Sequence, residues 1–183
     1  METKVLVVMG SRSDLPAMEG CMKQLDDFKI GYEVRVLSAH RTPNEVIKLS
    51  SEAKSRGIKV IIAAAGGAAH LAGVIASSTP LPVIGIPMQT SALGGMDSLL
   101  STVQMPQGVP VATVAIGKAG ARNAAILACQ MIGLADEAVQ KTIEDFKKNK
   151  LKMFWHNLIV RIKEKKMDTR ILFRKRTNSK LKA

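Results

Sequence analysis

The sequence predicts an α/β fold, a parallel five-stranded sheet covered by helices on both faces. Two observations carry this. Short apolar runs alternate along the chain with stretches of helical spacing. The runs are apolar at nearly every position rather than at every second one, as in strands buried on both faces.

"KVLVVM" (4–9) opens as the first strand, apolar and β-branched. "DLPAMEGCMKQLDDF" (14–28) follows as a helix with Leu15, Met18, Met22 and Leu25 on one face and Pro16 in the first turn. "YEVRVL" (32–37) is the second strand. "PNEVIKLSSEAKSR" (43–56) is the second helix, with Thr42 as N-cap, Pro43 at the first helical position and Glu45 completing a capping box. "IKVIIAAA" (58–65) is the third strand, followed by two glycines and a small-residue helix to about Ser77. "LPVIGI" (81–86) is the fourth strand, a helix near 96–104 follows, and "VPVATVAI" (109–116) is the fifth. Helices over 119–133 and 136–150 complete the body.

Right-handed crossovers restrict the strand order. Five such strands most often run 2-1-3-4-5, the flavodoxin-like arrangement of a three-layer α/β/α sandwich. A site then lies at the carboxyl ends of the strands, where the winding reverses between strands 1 and 3, with strand 2 beside strand 1. The loops "GSRSD" (10–14), "SAHRT" (38–42) and "GGAAH" (66–70) are expected side by side. They are also the three chemically unusual loops of the chain.

The 183 residues suffice for one domain that buries most of its apolar surface. Hydrophobic residues make up 46% and mean hydropathy is +0.10, which excludes a disordered chain. No apolar run reaches the roughly 18–20 residues that cross a bilayer, and "METKVLVVMGS" lacks a signal-peptide layout, so the expected location is cytoplasmic, with no membrane partner. The net charge of +12 is unevenly spread: residues 151–183 hold 11 Lys/Arg against 2 Asp/Glu, and residues 1–150 hold 16 against 13. We therefore expect a single catalytic domain at 1–150 and a basic extension at 151–183, an amphipathic helix and then a frayed end. In that helix Leu151, Trp155, Leu158, Ile159 and Ile162 fall near one face. Aromatic residues, at 3%, are too few for base stacking, so nucleic acid is not the expected partner of the body. Cys21 and Cys129 read as buried thiols.

Each unusual loop admits a functional reading and a structural one. In "MGSRSD", Ser11 and Ser13 offer hydroxyls beside the free N–H groups of a helix start, which suits a phosphate. Asp14 can accept hydrogen bonds from ribose hydroxyls. Equally, Ser13 or Asp14 serves as a helix cap. In "SAHRT", Arg41 is either a bidentate phosphate ligand or a solvated surface cation. His40 can give and take a proton near neutral pH. Ser38 and Arg41 beside it, at the point where the winding reverses, favour catalysis. Gly66 and Gly67 let a ligand lie on the backbone or let a helix pack closely. His70 is counted with the substrate-binding residues but ranks below His40, and its structural reading is a cap or a support behind the site. There is no Walker loop, no dinucleotide fingerprint, no nucleophile elbow and no metal-ligand spacing. The residues alone describe a protein that holds a phosphorylated ribosyl ligand and moves protons with one histidine, without metal or dinucleotide.

"MGSRSD", "SAHRTP", "AAGGAAHLAG", "DSLLSTVQMPQGVPVATVAI" and "AGARNAAILA", in this order over residues 4–135, resemble the bacterial 5-(carboxyamino)imidazole ribonucleotide mutases of purine biosynthesis. The resemblance implies a cofactor-independent homo-octamer that moves a carboxylate from the exocyclic nitrogen of its ribonucleotide to ring carbon C4. It implies His40 as the acid–base residue, Ser11 and Arg41 at the phosphate, and Asp14 at the ribose. Ser13, Ser38, Ala39, Gly66 and Leu71 would line the pocket, and the backbone of Gly66, Gly67, Ala68 and Ala69 would surround CO2 and the ring. The family usually has proline where this chain has Ala72, and the run after about residue 167 resembles nothing in it. Two alternatives stand beside this reading. One is a carboxylase that takes aminoimidazole ribonucleotide and CO2 directly. The other is a non-catalytic nucleotide-binding module whose basic tail holds an anionic polymer.

Overall fold

The computed structural model describes residues 2–156. β1 (Thr3–Met9), β2 (Gly31–Val36), β3 (Val60–Ala65), β4 (Val83–Pro87) and β5 (Ala112–Thr113) form one sheet in the order β2-β1-β3-β4-β5, with every pairing parallel. This is the expected flavodoxin-like order. Between the strands run α1 (Leu15–Asp27), α2 (Pro43–Glu52), α3 (Leu71–Ser77) and α4 (Met96–Val103), and α5 (Gly117–Gly133) follows β5.

The strands are buried in proportion to how central they are. Val5 to Met9 of β1 and Val60 to Ala64 of β3 are all at most 1% exposed, which explains why both read as continuous apolar runs. β2 lies at the edge, is only partly buried, and exposes Val36. On one face, Leu6, Val8, Ile61 and Ala63 pack with Val46 of α2 and Leu71, Ala72 and Ile75 of α3. Met18, Cys21 and Leu25 of α1 and Ala121, Ala124, Ala125 and Ala128 of α5 are buried too. The alanines let α5 lie close, and α1 and α5 pack against each other. Burial pushes both the Cys21 and Cys129 thiols up to about 12.

Several local expectations need correction. The fifth strand is two residues long rather than eight: Pro110 carries no N–H and shortens its start, Ala112 and Thr113 pair with β4, and Val114 N–H to Gly85 O closes the ladder. The predicted helix at 14–28 divides into a 3₁₀ turn at Arg12–Asp14 and α1, and Leu15 is 42% exposed rather than in the core. The capping box at Thr42 does not form. The Thr42 hydroxyl instead donates to Ser38 O and accepts from Ser38 N–H, which turns it back toward the preceding loop, and it makes no hydrogen bond to the helix end. α2 ends at Glu52, and single turns carry the chain on to Gly57.

Met1–Ile143 make up one compact unit and Glu144–Ala183 a second. In the first, residues 137–143 are helical, with Val139 and Ile143 buried. In the second, residues 144–156 are helical and expose Leu151, Met153, Phe154 and Trp155. The amphipathic face expected at Leu158, Ile159 and Ile162, and the frayed basic end, lie outside the described residues. Among the described residues, no helix is long and apolar enough to cross a membrane.

Candidate active site

Parallel pairing puts the carboxyl ends of β2, β1, β3 and β4 in a row, and their loops open on one cleft of about 570 Å³. Gly10, Ser11, Ser13 and Asp14 line it from the loop after β1. Ser38, Ala39, His40 and Arg41 line it from the loop after β2, and Ala65, Gly66, Ala68 and Leu71 from the end of β3 and the start of α3. The three loops singled out in the sequence therefore meet.

The β1 loop is both capped and open to the cleft. Ser11 has an extended backbone, and its Oγ accepts from Ser13 N–H at 3.2 Å while the Asp14 carboxylate accepts from Ser11 N–H at 3.2 Å. This is a capping box, formed on the 3₁₀ turn and not on α1. The Ser13 hydroxyl donates to Ser11 Oγ at 2.8 Å. Neither Ser13 nor Asp14 caps α1 as expected: the capping side chains are those of Ser11 and Asp14, on the turn before it, and Ser13 supplies the N–H that is capped, so capping and lining are joint roles of Ser11 and Asp14. Burial raises the Asp14 carboxyl above its usual value, opposed by the hydrogen bonds from Ser11 and Ser13.

The β2 loop is a tight turn bound to itself. Thr42 N–H donates to Ser38 O at 2.9 Å and Arg41 N–H to Ser38 Oγ at 3.3 Å. This fixes the backbone on either side of His40 and Arg41 while leaving both side chains exposed. The Arg41 guanidinium reaches across to Gly10 O at 3.4 Å, linking two of the loops.

The β3 loop is held from below by α4. Gly67 has φ of +67°, a left-handed conformation that favours glycine. Its N–H donates to Ser98 Oγ at 2.9 Å, and its carbonyl accepts from Ser101 Oγ at 3.3 Å. Gly67 therefore spends its N–H on α4 and does not line the cleft, whereas Gly66 and Ala68 do. A Cβ on Gly66 would come within 3.3 Å of Met88 Cβ, so the narrow backbone here is set by packing. Ala72 lies buried in the first turn of α3.

His70 does not line the cleft either. It precedes α3, its side chain makes no cap, and its Nδ1 lies 2.9 Å from Nε2 of His40. The rings meet edge to face, with centroids 5.0 Å apart and planes at 84°. The sequence offered no sign of this contact, since the two histidines are 30 residues apart.

Met88, Gln89 and Thr90, on the loop after β4, also line the cleft and were missed. The signal was available: β4 neighbours β3 in the predicted order, so its loop had to flank "GGAAH". Thr90 Oγ1 donates to Asp97 at 2.8 Å and accepts from Gly95 N–H, which ties this loop to the start of α4. Among the described residues, no three His, Cys, Asp or Glu side chains gather as a metal site.

Chemically, the cleft joins a hydroxyl- and guanidinium-rich end (Ser11, Ser13, Arg41), a carboxylate (Asp14), an imidazole (His40) and a wall of nearly bare backbone (Gly66 and Ala68). These suit an anion, a diol, a proton transfer and a flat or small group, respectively.

Known proteins resemble this chain in sequence and fold. The AIR carboxylase family model matches residues 4–153. Over 154 residues the chain is 54% identical to the N5-carboxyaminoimidazole ribonucleotide mutase of Aliivibrio fischeri, covering 84% of this chain and 96% of that one. It is 56% identical over 140 residues to the phosphoribosylaminoimidazole carboxylase of Candida glabrata, covering 76% of this chain and 24% of that longer one. The crystal structure of Treponema denticola PurE superposes with a TM-score of 0.76 at 26% identity, covering 84% of this chain and 95% of that chain. The chain belongs to the AIR carboxylase family.

Proposed function

We propose that this protein is a purine-biosynthesis isomerase that converts N5-carboxyaminoimidazole ribonucleotide into the C4-carboxylated ribonucleotide. The observation that carries this reading is the meeting of the three loops around one cleft, with His40, Arg41, Asp14 and a bare backbone wall all facing it. Relatives that bear the mutase name over nearly their whole length support it.

In this reading Ser11 and Arg41 take the phosphate, and the Asp14 carboxylate takes the ribose hydroxyls. Ser13, Ser38, Ala39, Gly66, Ala68 and Leu71 enclose the heterocycle. His40 in its protonated form gives its proton to the carbamate nitrogen. The C–N bond then breaks, and CO2 and a neutral amine remain. Enclosure keeps CO2 beside the ring, which replaces a bimolecular encounter with a unimolecular one. The electron-rich C4 attacks CO2 and a C–C bond forms. His40, now neutral, removes the C4 proton and the ring regains its aromaticity. One proton leaves the imidazole and one returns, so the cycle closes without a net reagent.

The test is turnover of the carbamate as sole substrate, with bicarbonate omitted. The wild type is expected to convert it, and His40→Asn to lose at least about 10²-fold in kcat while still binding the ribonucleotide. Normal turnover by His40→Asn would rule out the role of His40. The Candida glabrata relative favours a second reading, direct carboxylation of aminoimidazole ribonucleotide by CO2. Under that reading the carbamate is inert and the amine is consumed only when bicarbonate is supplied.

We further propose a cytoplasmic homo-octamer with its catalytic domain at residues 1–150 and a basic extension at 151–183. The exposed apolar residues Leu93, Met96, Leu100 and Val103, along and just before α4, support assembly. Sedimentation of the purified chain tests it, and a monomer at micromolar concentration would contradict it.

A further inference from the structure

We infer that His70 is a positioning residue: its Nδ1 accepts the proton on Nε2 of His40, which leaves Nδ1 of His40 as the atom that gives and takes the proton. This rests on the mutase reading above. The contact between the two rings is 2.9 Å, ring nitrogen to ring nitrogen, and a contact of that kind holds a single hydrogen. His40 lines the cleft and His70 does not, so Nε2 of His40 is turned toward a residue off the wall. Of the two ring nitrogens of His40, only Nδ1 remains for the cleft.

The backbones under both rings are fixed. Ser38 and Thr42 lock the turn that carries His40, and Ser98 and Ser101 hold Gly67, three residues before His70. The His70 side chain is not spent on the helix end, so its ring is available to His40.

A fixed acceptor at Nε2 settles which tautomer neutral His40 adopts. With the hydrogen held on Nε2, neutral His40 presents an unprotonated Nδ1, the form that removes the C4 proton. Protonated His40 then carries the added proton on Nδ1, the form that protonates the carbamate nitrogen. The same atom acts in both half-reactions and the ring need not turn between them. His70 keeps its own Nε2–H throughout and exchanges nothing with substrate.

The variants are His70→Ala, which removes the acceptor, and His70→Asn, which puts an amide oxygen where Nδ1 stood. Loss of a group that orients a working imidazole is expected to lower kcat by about 10–100-fold with KM changed less than about threefold. His70→Asn is expected to restore kcat to within about fivefold of wild type. The second readout needs no turnover: ring 15N spectra of the chain, which has three histidines, locate the shared hydrogen. It is expected on His40 Nε2, exchange-protected in wild type and in His70→Asn and lost in His70→Ala. A hydrogen found on His70 Nδ1, or unchanged kcat in His70→Ala, overturns the inference. A wild type that leaves the carbamate untouched overturns the mutase reading instead, and the spectra separate the two failures.

Discussion

Ser98 offers a test of how the bare-backbone wall is built. It is fully buried on α4, and its Oγ accepts the Gly67 N–H at 2.9 Å. Ser98→Ala removes that acceptor and leaves the donor without its partner. A lost hydrogen bond alone costs about 1 kcal/mol, and a donor left desolvated costs up to about 3 kcal/mol. For a chain of this length each kcal/mol moves Tm by about 2–4 °C, so the expected fall is roughly 2–12 °C at fixed protein concentration. Activity should fall further than stability explains. Gly67 lies between the two residues that form the wall, and an ångström of displacement there costs up to about 10²-fold in kcat/KM. Ser51→Ala, at an exposed site on α2, is the control and should stay within about 0.5 kcal/mol of wild type. Thermal unfolding with steady-state kinetics on both variants decides the matter. A Ser98→Ala variant with wild-type Tm and kcat/KM would refute the claim that α4 holds the wall.

Three further outcomes follow from the site and the core. Burial raises the folded-state carboxyl of Asp14 above its unfolded value of 3.8, so its charge costs stability at neutral pH and the cost fades as pH falls through that raised value and below 3.8. Asp14→Asn keeps an acceptor for Ser11 N–H; it should raise Tm at neutral pH, lose that advantage in acid, and weaken ribonucleotide binding in calorimetry. Arg41→Lys replaces a planar fork with a point charge and should raise KM for the ribonucleotide about tenfold, with kcat nearly unchanged. With both thiols pushed up to about 12, Cys21 and Cys129 should react with iodoacetamide near pH 8 about 10³-fold more slowly in the folded chain than in urea, by mass spectrometry.

What the sequence revealed and what it hid divide along a physical line. Strand order follows from chain connectivity and handedness, both of which act on every residue of the body. The order alone placed Asp14, His40 and Gly66 around one cleft before any contact was known. Contacts made by single side chains were not legible. Thr42 and Glu45 carry a capping-box pattern, yet the Thr42 hydroxyl is bound to Ser38, four residues earlier. The pattern formed instead at Ser11 and Asp14, on a 3₁₀ turn that the sequence did not separate from α1. Pro110 was a visible warning against a long fifth strand. Gln89 and Thr90 went unnoticed because their loop carries no charge. The pairing of His40 with His70 depends on two rotamers and two distant turns, which no local pattern encodes.

The central claim is that one ribonucleotide lies across the three loops with its heterocycle at His40. A crystal structure of the chain with aminoimidazole ribonucleotide bound tests it most directly. The account predicts phosphate oxygens on Ser11 and Arg41, ribose hydroxyls on Asp14, and the ring between the His40 imidazole and the Gly66–Ala68 backbone. A nucleotide bound elsewhere, or bound here with its ring turned away from His40, would contradict it.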